Sequence, residues 1–175
     1  MLRARYQLVT RELVEWLRLR IGDRRAIEIG AGMGDLGFHL GIPMTDLGVQ
    51  AEDPGYWRSL GQAPTEPPDD VERLEAEAAI ARFKPAVVVG AWITETHHAG
   101  GYAGFGVEEA RIVRSVPQYI HVGNLAVHGS KRILRMKHRV YRPAGLVSRG
   151  FEPEKNAVHV WGNAPAETRW VGIES

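Results

Sequence analysis

Ala26-Ile27-Glu28-Ile29-Gly30-Ala31-Gly32-Met33-Gly34-Asp35-Leu36 decides how this chain is read, because an apolar run holding one acid leads into three glycines at alternate positions. The apolar run has the length and character of a buried strand. The glycines read as a tight turn where backbone approaches a ligand, since side chains there would block the approach. Asp35 to Leu40 then opens a helix whose free N–H groups point toward whatever lies over the turn.

The spacing separates two kinds of nucleotide site. A dinucleotide fingerprint has glycines at its first, third and sixth positions. Here the sixth position is Asp35, and the glycine stands at the fifth. An acid, one residue, then Gly-x-Gly-x-Gly resembles motif I of the class I S-adenosylmethionine-dependent methyltransferases. In that family the turn holds a methionine carboxylate and amine rather than a pyrophosphate.

Composition sets bounds on the reading. With 175 residues and no cysteine, the chain is expected to form a single domain, residues 1–175, around one core. Disulfides, thiolate metal sites and a cysteine nucleophile are excluded. So is cytosine-C5 methylation, which needs a cysteine in the families that carry it out. The first residues carry neither a signal peptide nor a spanning helix, so a cytoplasmic protein without membrane partners is expected. Charge is uneven: residues 1–109 hold 11 Lys/Arg against 17 Asp/Glu, and residues 110–175 hold 11 against 4. No acid interrupts the nine basic residues Arg111, Arg114, Lys131, Arg132, Arg135, Lys137, Arg139, Arg142 and Arg149. Such a segment attracts an anionic or nucleic-acid partner, or is a solvated face balanced by acids elsewhere.

Periodicity supplies the rest of the order. Tyr6, Val9, Leu13, Trp16 or Leu17, and Ile21 predict an amphipathic helix from about Arg5 to Ile21. After the glycine turn and its short helix, closed at Gly41, Ile42 to Thr45 leads to Asp46 as a second strand. Asp53 to Asp70, with four prolines and two glycines, reads as loop rather than helix. Val71 to Leu74 predicts a third strand ending at Glu75, Ala76 to Phe83 a helix, and Pro85 to Ala91 a central strand. Thr94 to Gly106 is a glycine-rich loop, Val107 to Ser115 is helical, Pro117 to Gly123 is a fifth strand, and Lys131 to Met136 is a short basic helix. Leu146-Val147-Ser148 and Ala157 to Trp161 flank a turn cluster and read as an antiparallel hairpin. The fold class is therefore α/β: a doubly wound, mostly parallel sheet with helices on both faces and a C-terminal antiparallel hairpin. The methyltransferase fold, whose seven strands end in such a hairpin, is similar in order from about Arg5 to Gly162.

The resemblance implies S-adenosylmethionine as cofactor and assigns roles residue by residue. Glu28 matches the acid that anchors the methionine amino group, and Gly30, Gly32 and Gly34 admit the ligand to the backbone. An acid ending the second strand accepts the ribose hydroxyls; Asp46 is that acid, with Glu52 and Asp53 as alternatives. Glu75 and Ala76 match the pair that receives the adenine. Trp92, after the fourth strand, walls the cofactor, stacks on a flat substrate, or is a core aromatic. His97 and His98, in the loop that follows, are the expected catalytic bases, with the loop itself a lid. The Asn/Asp-Pro-Pro-aromatic motif of base-amino methyltransferases is missing. The implied reaction is methyl transfer to an oxygen or nitrogen acceptor of unknown identity. The alternatives are a non-catalytic S-adenosylmethionine-binding or interaction module, and a nucleic-acid-binding domain using segment 111–149.

Overall fold

A computed structural model describes residues 5–59, 63–95 and 106–162. Its main sheet has seven strands: β2 (Ala26–Ile29), β3 (Met44–Asp46), β4 (Glu72–Arg73), β5 (Val87–Ala91), β6 (Gln118–Asn124), β7 (Arg139–Tyr141) and β9 (Asn156–Gly162). They lie in the order β4-β3-β2-β5-β6-β9-β7. The first five pair in parallel, and β9 runs antiparallel between β6 and β7. The remaining strands, β1 (Gln7–Leu8) and β8 (Val147–Ser148), form a separate antiparallel pair.

Strand alternation divides the core into two. Val87 and Val89, Ile120 and Val122, Val158 and Val160 face α1 (Arg11–Ile21) and α2 (Asp35–Leu40). Their neighbours Val88, Tyr119 and Trp161 face α5 (Ala76–Phe83) and α6 (Glu109–Ser115). With both faces covered, the central strands are apolar throughout, as parallel strands in such sheets are. The chain winds from β2 outward through β3 to β4, then returns to the other side of β2 for β5 and β6. That reversal leaves a crevice beyond the carboxyl ends of β2 and β5, the place where sheets of this kind bind ligands.

Four expectations are corrected. Helix α1 starts at Arg11, not Arg5, because the Thr10 hydroxyl accepts from Leu13 N–H as an N-cap. Tyr6 and Val9 precede it, and Gln7–Leu8 is strand. The stretch read as loop contains α4 (Pro54–Ser59), preceded by α3 (Val49–Glu52). Proline suits the first turn of a helix, where its missing N–H goes unneeded, and Asp53 accepts from Tyr56 N–H at 3.0 Å. The third strand is reduced to Glu72–Arg73. The hairpin pairs β9 with β7, while Val147–Ser148 pairs with Gln7–Leu8 across the molecule. One further helix, α7 (Leu125–His128), follows β6, and 3₁₀ turns occupy Arg132–Arg135 and Pro153–Lys155.

Candidate functional site

The crevice is a cleft of about 760 Å³. On its β2 side the turn after Ile29 holds Gly30, Gly32 and Gly34 at φ of +57°, +55° and +74°. These values belong to the left-handed region that glycine enters without cost. At Gly32 a Cβ would find only Thr65 Cγ2, at 4.0 Å, so this backbone faces open cleft. Gly30 and Gly34 are tight instead, their Cβ positions lying 2.4 Å from Ile93 Cδ1 and 2.7 Å from Val71 Cγ2. Gly30 and Gly32 line the cleft, whereas Gly34 packs behind it.

Glu28 is buried beneath the turn, 2% exposed. One carboxylate oxygen accepts the Gly37 N–H at 2.7 Å. Burial pushes this carboxyl up to about 8, the Gly37 hydrogen bond opposing. Gly37 has no side chain because none fits: a Cβ there would lie 2.4 Å from Met44 Cγ and 2.6 Å from Glu28 Oε2. Sequence reasoning missed this residue. Its signal was a glycine in the interior of a short helix, three positions after Gly34.

Asp46 ends β3 with its carboxylate on the cleft wall. Its oxygens accept Gly32 N–H at 2.8 Å and Gly48 N–H at 2.7 Å, joining two left-handed turns. Glu52 and Asp53 are exposed and lie off the cleft. Exposed Glu75 and buried Ala76, at the start of α5, also line it. Gln50 ties this wall to the next segment by accepting from the Thr65 N–H and hydroxyl. Seven predicted residues therefore share one cleft: Glu28, Gly30, Gly32, Asp46, Glu75, Ala76 and Trp92. His97 and His98 lie outside the described residues, as does most of the loop read as a lid.

Trp92 leaves β5 at φ +56°, in the left-handed region that bulky residues avoid. Its ring stacks on Tyr6 at 5.7 Å between centroids and meets the His128 ring edge-on at 4.9 Å. Its Nε1 is buried without a hydrogen-bond partner.

Beyond Trp92 lies a buried polar cluster. The Glu109 carboxylate accepts from the Tyr119 hydroxyl at 2.6 Å and from Lys131 Nζ, which also donates to Ile93 O at 2.7 Å. Burial pushes Glu109 upward, but contact with His121 and the Lys131 ammonium outweighs it and holds the carboxyl at about 2. His128 is driven down to about 3, chiefly by burial, and its Nδ1 accepts Asn124 N–H at 3.0 Å. Burial also brings His159 down to about 4, and its Nδ1 lies 3.0 Å from His138 Nε2. Glu95, His128 and Lys131 reach the cleft. In the sequence Glu95 reads as the acid beside His97 and His98 in the glycine-rich loop, His128 as one of two histidines flanking the end of the fifth strand, and Lys131 as part of a basic run.

That basic run is partly neutralised by acids of other elements. Arg111 meets Glu77 and Glu108, Arg132 meets Glu108, and Lys131 meets Glu109. Arg135, Lys137, Arg139 and Arg142 are exposed near β7, at the edge of the sheet.

No family model and no curated protein matches the chain. Among solved structures it is similar to a hypothetical protein of Thermus thermophilus, at 18% identity over 86% of this chain and 82% of that one, with a TM-score of 0.42. It is also similar to the Thermoplasma acidophilum 1320 protein, at 16% identity over 87% and 86%, with a TM-score of 0.40.

Proposed function

We propose that the chain transfers a methyl group from S-adenosylmethionine to an oxygen or nitrogen acceptor. The observation that carries this reading is the opening at Gly32. Its backbone borders empty cleft where a side chain would intrude, with Glu28 beneath it and Asp46 bonded to its N–H. Glu28, Gly30, Gly32, Asp46, Glu75, Ala76 and Trp92 are the residues that would hold the cofactor. When bound, it supplies an electrophilic methyl group on a sulfonium. The chain's part is to position the acceptor and exclude water, which is why conspicuous catalytic residues are not needed.

Charge supports a cationic ligand over a diphosphate. Burial keeps Glu28 protonated near neutral pH, and four further acids line the cleft (Asp35, Asp46, Glu75 and Glu95) against three bases (Arg5, Lys131 and Arg149). Arg5 is already paired with Asp35. A pyrophosphate meets net repulsion on such a wall, and a sulfonium meets attraction. Asp46 already accepts two backbone N–H groups, yet a carboxylate has about four lone-pair sites and keeps room for two hydroxyls.

Calorimetric titration with S-adenosylmethionine, S-adenosylhomocysteine and NAD tests the reading. Binding of the first two at micromolar affinity is expected. Binding of NAD alone overturns it, and tight S-adenosylmethionine binding without transfer to any acceptor identifies a non-catalytic module. The exposed Arg135, Lys137, Arg139 and Arg142 favour a second reading, in which a nucleic acid docks at β7. Steep salt dependence of RNA or DNA binding would support it, although cations on an edge strand also serve to block strand pairing.

A further inference from the structure

We propose that Glu95 receives the acceptor's proton, and that the acceptor is a neutral hydroxyl or amine rather than an anion. The inference rests on the methyl-transfer reading of the cleft and names the chemistry of its acceptor end.

Glu95 lines the cleft three residues after Trp92 and is 6% exposed. A backbone bridge to Val107 holds it in place. Among the described residues its two oxygens meet a single donor, the Arg132 N–H, at 3.3 and 3.4 Å. An ionised carboxylate accepts about four hydrogen bonds, so most of this group's capacity is unused. A buried charge left in that state is costly, and a donor arriving in the cleft relieves it.

The neighbours do not share this property. Glu109 does not border the cleft, and it is satisfied by Tyr119 and Lys131. His128 has Nδ1 against both the N–H and the carbonyl oxygen of Asn124, at 3.0 and 3.1 Å, and its imidazole carries an N–H in either tautomer, so it is never a pure acceptor. Lys131 directs Nζ to Glu109 and Ile93 O. The Glu95 carboxylate acts electrostatically on Lys131 and on Tyr119. Glu95 is therefore the one cleft-facing group among the described residues at this end that is both a pure acceptor and short of donors. As an acceptor lone pair forms the bond to the methyl carbon, the carbon–sulfur pair leaves with sulfur and the acceptor's O–H or N–H proton passes to a Glu95 oxygen.

The test uses two flat probes on the full chain without cofactor: 4-nitrophenol, whose absorbance reports its ionisation, and 4-nitrobenzoate, an anion of similar shape. The wild-type protein should bind 4-nitrophenol as the protonated species, shifting its spectrum toward that form near its own ionisation midpoint. It should disfavour 4-nitrobenzoate by about tenfold or more, the scale of a lost charge-assisted hydrogen bond. Glu95→Gln should abolish the spectral shift and reduce the discrimination to about threefold or less. Uptake of nitrophenolate or 4-nitrobenzoate as readily as the neutral phenol overturns the proposal, as does failure to bind either probe or an unchanged Glu95→Gln protein. Calorimetry with S-adenosylmethionine separates the two levels. Cofactor binding without the probe preference defeats the role of Glu95 alone, whereas the probe preference without cofactor binding defeats methyl transfer and leaves Glu95 as an acceptor site.

Discussion

Gly32 and Gly37 both lack a side chain, but the space that one would occupy differs between them. At Gly37 it is already filled, by Met44 and the Glu28 carboxylate. Gly37→Ala should therefore destabilise the fold by about 1–3 kcal/mol through overpacking, read by urea unfolding; an unchanged midpoint would show that Met44 yields freely. At Gly32 the space is empty. Gly32→Val should leave a folded protein, weakened by about 1 kcal/mol for the left-handed backbone, that no longer binds S-adenosylmethionine. Equal binding by the mutant would place the cofactor elsewhere. Trp92 presents the opposite case, a donor buried with nothing to bond. Trp92→Phe keeps a ring and removes the orphaned N–H, so stability should rise by about 1 kcal/mol. A fall of that size would mean that the indole N–H has found a partner in solution.

At the level of elements, the segment before α1 ties distant parts of the chain together. Thr10 accepts from Leu13 N–H to start the helix and donates to Gly145 O at 2.6 Å, beside the strand pair β1–β8. Thr10→Ala should cost about 1–2 kcal/mol, whereas Thr10→Ser should cost much less because the hydroxyl is kept. Comparable losses for both would assign the effect to the methyl group. Periodicity alone placed the start of this helix too early, since Tyr6 and Val9 fall on the helical stripe by chance. What moved the boundary was a cap and a strand pairing with a partner about 140 residues away. The same long-range pairing removed Val147–Ser148 from the expected hairpin. Asp46 shows an element-scale role too: it clamps the turns at Gly32 and Gly48, so Asp46→Ala should loosen both and weaken cofactor binding several-fold. If Glu52→Ala or Asp53→Ala had the larger effect, the ribose contact would lie beyond β3.

Across the whole molecule, buried titratable groups oppose one another and set a pH optimum. Glu28, raised from 4.5 to about 8, holds its proton more tightly when folded, so its contribution is full below pH 4.5 and is lost as pH rises to about 8. His128 and His159, lowered from 6.5 to about 3 and about 4, resist protonation when folded, so stability falls as pH drops below 6.5. Glu109, lowered from 4.5 to about 2, adds a loss as pH falls through that range. Stability should therefore peak between about pH 5 and 7, measurable by denaturant unfolding across pH. Glu28→Gln should flatten the alkaline side and steepen the rise between pH 4.5 and the peak, where Glu28 opposes the histidines; an unaltered alkaline decline would show that another group causes it. None of the described helices is long and apolar enough to cross a membrane.

Local patterns determined what local physics controls. The apolar run into Gly30-Ala31-Gly32-Met33-Gly34, the succession of β2, α2 and β3 and then of α5, β5 and α6, and the acids at Glu28 and Asp46 were legible, because burial and turn chemistry are written in neighbouring residues. Tertiary structure alone decided the rest. Whether an acid is buried under Gly37, whether a basic run meets Glu77, Glu108 and Glu109, and whether Glu95 and Lys131 reach one cleft depend on chain segments far apart in sequence. Their contacts arise only when the sheet reverses between β2 and β5 and brings the ends of those strands together.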